Sequence, residues 1–185
     1  MGWRPVIVAY AVLAALLAEY ALLERRAVRH DEETPVRPRF IRLDPDAVRA
    51  VRLTRDGRTV VSRRGAGGWT VVEPPGAAIP PDLIGAFANA LTGAEEIARL
   101  EKEDTPGLGL DAGATRVELD AETGAPVVVT IGATNPTGTA VYARRQGAAG
   151  VVLIGRNVRY YEDLIFQALS AERAPAAETG APVGG

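Results

Sequence analysis

VRAVRLTRDGRTVVSRRGAGGWTVVE, residues 48–73, carries its apolar side chains at a short period, the spacing of strands and not of helices. Val48–Thr54 and Arg58–Arg63 flank Asp56-Gly57, a dipeptide suited to a two-residue hairpin turn. A second turn over Gly65-Ala66-Gly67-Gly68 leads into Trp69–Glu73, which predicts a three-stranded meander. Pro74, Pro75 and Gly76 stop it, because proline cannot donate to a strand ladder. In residues 80–91, PPDLIGAFANAL, the side chains of Leu83, Ile84, Phe87, Ala88 and Leu91 share one helical face, and Pro81 and Asp82 suit the first turn.

Further along, the plan recurs. Thr115–Asp120 and Pro126–Ile131 read as strands joined by AETGA; Thr139–Arg145 and Val151–Ile154 follow. A helix is expected from Asn157, a suitable N-cap, to Leu169, with Val158, Tyr161, Leu164, Ile165, Ala168 and Leu169 in one stripe. Residues 94–102 fit either a helix continuation or a strand. Trp69 and Tyr161 are expected to anchor the core. The fold class expected is α+β, with an N-terminal single transmembrane helix followed by two β-meander-plus-helix units that form one compact domain.

The expected helix in the membrane lies within residues 1–26. Trp3–Leu23, about 21 residues, cover roughly 31 Å, near the thickness of a bilayer core. Trp3 and Tyr20 sit near its ends, where amphipathic rings favour headgroups, and Glu19 lies near the second interface. A cleaved leader is the rival reading, but neither Ala18 nor Ala21 completes a small-x-small site. Residues 27–39 read as a juxtamembrane linker stiffened by Pro35 and Pro38, residues 40–170 as the folded domain, and residues 171–185 as a disordered tail.

The 185 residues carry a net charge of −2, which excludes a strongly basic nucleic-acid binder, and no cysteine, which excludes disulfides and thiol catalysis. His30, the only histidine, falls in the linker, and Ser62 and Ser170 are the only serines. No base–nucleophile pair or metal set emerges, so neither an enzyme nor a cofactor is expected. Gly107–Gly113 has the glycines of a phosphate loop in the wrong spacing and reads as a turn, as does Asp44–Asp46 before the first strand. Arginines crowd residues 48–64, and the candidate partner-binding residues are Glu19, as a polar contact for a neighbouring transmembrane helix, and Arg49, Arg52, Arg55 and Arg58, which would meet an acidic partner surface or anionic headgroups.

Val51, Leu53, Arg55 and Gly57 in the hairpin, the run Gly67–Pro74, GLGLD at 107–111 and the strand–IG–turn–YAR run from Val127 to Arg144 resemble a family of bacterial envelope domains of unknown function. Some of its members sit beside ABC transporters of the gliding-motility type. The resemblance covers residues 48–169. It implies a domain held outside the cytoplasm at the bacterial inner membrane, and a structural turn at GLGLD, with no catalytic residues to transfer. The arginines after the apolar run would by themselves favour the opposite orientation. The function expected is a non-enzymatic, single-pass accessory subunit of an integral membrane protein complex (transporter, respiratory or photosynthetic), touching lipid through residues 3–23. The alternative is an envelope binding module for a lipid or polysaccharide.

Overall fold

The computed structural model describes residues 3, 13, 17–20, 37–100 and 107–171, and divides the chain into two units, Met1–Val36 and Arg37–Gly185. In the first unit, residues 17–20 are helical and exposed.

The second unit is built on a single eight-stranded antiparallel sheet. A 3-10 turn, Pro45–Ala47, is capped by Asp44, whose Oδ1 accepts from the Asp46 amide at 2.8 Å. It delivers β1 (Val48–Arg55), which turns through Asp56-Gly57, both at positive φ, into β2 (Arg58–Gly65) and then β3 (Gly68–Glu73). Helix α1 (Pro81–Thr92) starts on proline, as expected of a first-turn residue with no amide to satisfy. β4 (Ala98–Leu100), β5 (Thr115–Ala121), β6 (Val127–Thr134), β7 (Ala140–Arg145) and β8 (Val151–Gly155) follow, and α2 (Asn157–Ala171) ends the described chain. The strand order is β3-β2-β1-β5-β6-β7-β8-β4. The stretch open between helix and strand in the sequence therefore resolves as a short edge strand on β8.

Alternation along the strands separates two faces. Val51, Leu53, Val117, Leu119, Val129, Ile131, Val141, Ala143, Val152 and Ile154 point to one face and are buried with Ile84, Phe87 and Leu91 of α1 and Val158, Ile165, Phe166 and Leu169 of α2. Phe40 and Ile41 close this core, and the Phe40 amide bonds the Ala94 carbonyl at 2.9 Å. Trp69 and Tyr161 are half-buried at its margin; a Cβ on Gly85 of α1 would lie 3.2 Å from the indole of Trp69.

Two expectations about architecture are corrected. The two meander-plus-helix units do not exist as units: β1 pairs with β5 from Val48 to Thr54, and α1 packs on α2, so the strands form one sheet. A meander leaves an unpaired outer strand, and here the outer strand of each meander satisfies its backbone on the other. The expected single transmembrane helix is likewise not supported. Among the described residues no helix is long and apolar enough to cross a membrane, and the apolar run is interrupted by the carboxylate of Glu19. Most of residues 1–26, the linker up to residue 36 and the tail from residue 172 lie outside the described residues, as does most of the lipid contact expected through residues 3–23.

Candidate functional site

A spacing of three along a strand sends successive side chains to opposite faces, and the hairpin arginines are parted accordingly. Arg52 stands on the face opposite the helices, half-exposed, with Nε 3.6 Å from Glu118 and Nη1 3.9 Å from Glu73. Arg55 turns the other way and is only 16% exposed. Arg49 bonds Glu122 at 2.8 Å, and Arg58 bonds the Ser170 hydroxyl at 2.8 Å while lying 5.5 Å from the Phe166 ring centroid. Glu19 is helical and exposed in the first unit. The structure gives each of the four arginines an internal partner and does not gather them into one patch.

Arg55 enters a buried network that the charge pattern alone does not announce. Its Nη1 donates to Glu162 Oε1 at 3.0 Å and to Asp163 Oδ1 at 2.6 Å, and its guanidinium carbon lies 4.2 Å from the centroid of the Phe166 ring. Glu162 Oε1 also accepts from Arg159 at 2.7 Å and from the Thr115 hydroxyl. Arg159 in turn donates to the Gly132 carbonyl. The Glu162 side chain is fully buried, and its Oε2 has no hydrogen-bond partner. Burial pushes its carboxyl above the usual range, against the pull of Arg159, Thr115 and Arg55. The signal for it was present: Glu162 lies four residues after Val158 and three before Ile165, a charge on the apolar stripe. With Glu162 at its buried centre, the network ties α2 to β1, β5 and β6.

The GLGLD turn docks beside it. Gly109, at φ +63°, has no room for a side chain, since a Cβ would lie 2.8 Å from the Ala133 amide nitrogen, and a Cβ on Gly132 would collide with the Leu108 carbonyl. Ala133 donates to that same carbonyl at 2.7 Å. GLGLD and the Ile131-Gly132 pair are thus two sides of one backbone contact.

The face of the sheet opposite α1 and α2 is covered by no other helix among the described residues. Cross-strand registers set its side chains in rows: Thr70, Arg63, Ala50, Asp120; Glu73, Val61, Arg52, Glu118, Val128; and Thr59, Thr54, Arg116, Thr130, Arg144. Opposite charges neighbour one another within and between the rows, as in Arg116 Nε to Glu118 at 3.0 Å. Where β6 begins and β7 ends, two adjoining hollows of about 510 and 360 Å³ share Arg116, Val128, Arg145, Gln146 and Gly147. Among the described residues the guanidinium groups of Arg144 and Arg145 make no hydrogen bond or ion pair. Neither residue was singled out from the sequence. Of the two serines, Ser62 is buried with its hydroxyl unpaired, and Ser170 bonds the Phe166 carbonyl at 2.8 Å.

Residues 69–169 match the family model described as Domain of unknown function (DUF4340), and the chain belongs to that family. The match begins at Trp69, so GLGLD, the Ile131-Gly132 contact, the groove arginines and Glu162 lie inside it, while the hairpin arginines lie outside. No curated protein and no solved structure matches the chain.

Proposed function

We propose that this chain is a non-enzymatic accessory subunit that docks onto a larger membrane protein complex through the uncovered face of its sheet. The observation that carries the reading is the placement of both helices on one face, which leaves the other as a broad surface of ordered, alternating charge. Such a surface discriminates partners by charge register. The internal pairing of Arg55 and Arg58 shifts the weight of recognition from the hairpin tip to Arg52 and its neighbours on the open face. The resemblance to envelope domains found beside gliding-type ABC transporters favours a transporter as the partner and an extracytoplasmic position for the domain.

The test is purification of the tagged full chain from its native cells in mild detergent. Stoichiometric co-purifying subunits are expected. The double variant Arg52→Glu/Arg63→Glu, checked to melt as the parent does, should lose them. A monomer carrying a bound lipid or saccharide would overturn the proposal, as would full retention of the complex by the folded variant.

A further inference from the structure

We infer that the groove at the junction of β5, β6 and β7 holds an acidic segment of the partner protein, one in which carboxylates are interleaved with apolar side chains; the inference rests on the docking reading above. Three features of the groove select this occupant. Arg144, in the open-face row, and Arg145, beside it at the end of β7 and lining the same hollow, bring two positive charges that no described residue neutralises, whereas Arg52 and Arg116 are matched with glutamates. An uncompensated pair of this kind within an otherwise balanced face is a site that a partner's negative charge completes. Pro126, Val127 and Val128 line the hollow next to the arginines, so an occupant gains from apolar contact as well as charge. Arg116 and Arg144 flank Thr130 across β6, about 10 Å apart at the usual strand spacing, which suits two carboxylates carried on one extended chain. Arg55 and Arg159, by contrast, are already matched by the buried Glu162.

A fluorescein-labelled peptide of repeating Glu-Leu-Glu-Gly, titrated into the full chain at low salt and read by anisotropy, tests this. Binding is expected, with amide shifts centred on Val128, Thr130 and Gln146, and with no comparable binding of a Lys-Leu-Lys-Gly peptide. The double variant Arg144→Gln/Arg145→Gln should weaken the acidic peptide about tenfold or more. Equal affinity in the variant would overturn the inference. So would tighter binding of inorganic pyrophosphate or of phosphatidylglycerol vesicles than of the peptide, since the groove would then serve phosphate chemistry. If no peptide binds while Arg52→Glu/Arg63→Glu still loses the native complex, the groove assignment falls and the docking reading stands.

Discussion

Glu162 shows how a single residue sets a condition on stability. The carboxylate receives three donors on one oxygen and none on the other, and it does so without solvent. Its folded-state carboxyl holds a proton to higher pH than the same group in the unfolded chain. The folded state therefore binds the extra proton in the interval between the two values. Above the folded value the full cost of burying the charge is felt. As pH falls through that value the cost is relieved, and the relief is complete below the unfolded range of about 4.3. The stability of the parent relative to Glu162→Gln should thus rise between neutral pH and about pH 4. Urea melts at a series of pH values measure this, and a difference that stays flat across the interval would show that burial does not govern the group. The same residue marks a limit of sequence reading. Its position on the apolar stripe could be seen, but its partners Arg55 and Thr115 are brought to it only by the sheet.

At the scale of elements, local chemistry was the most legible layer. Asp56-Gly57 gives the β1–β2 turn because both residues can take positive φ, and the apolar face of residues 81–91 is the buried face of α1. What the sequence could not reveal is which strand borders which: a strand's alternation identifies its covered face and says nothing of its neighbour. The β1–β5 pairing and the place of β4 on β8 are consequences of tertiary closure. GLGLD was readable as a turn, but its partner was hidden, since the contact runs through backbone atoms that leave no residue pattern. This contact yields a sharp expectation. Gly132→Ala forces a Cβ into the Leu108 carbonyl, an overpacking that should cost about 3 kcal/mol. Gly67→Ala, with open space around the added carbon, should stay within about 0.5 kcal/mol. Equal midpoints for the two variants in urea would mean that the turn does not press on β6.

For the whole molecule, the decisive feature is that a chain whose sequence reads as two similar halves closes as one sheet. The candidate site follows the same logic. Arginine density points to the hairpin, yet the sheet separates Arg52 from Arg55 and brings Arg116 of β5 together with Arg144 and Arg145 of β7 in one groove. Arg116 is remote in sequence from the adjacent pair Arg144-Arg145, so their meeting is not legible without the strand order. The same closure predicts how the second unit folds. Residues 37–92 would hold β1, β2, β3 and α1 but lose the β5 ladder on β1 and the α2 packing on α1. Residues 107–171 would lose the other side of both contacts, and with Arg55 gone Glu162 would keep a buried carboxylate short of one of its two arginines. Each half would expose an apolar face and an unpaired central strand, a state with too little burial to offset chain entropy. Residues 37–171, by contrast, retain the whole described core, including Phe40 and Ile41. This fragment should unfold in one cooperative transition, with circular dichroism and tryptophan fluorescence (Trp69 is its only indole) giving coincident curves. Neither half should show a cooperative transition alone. Should either half melt cooperatively by itself, the β1–β5 seam would be a docking of two independent units after all, and the sheet would not be the folding unit.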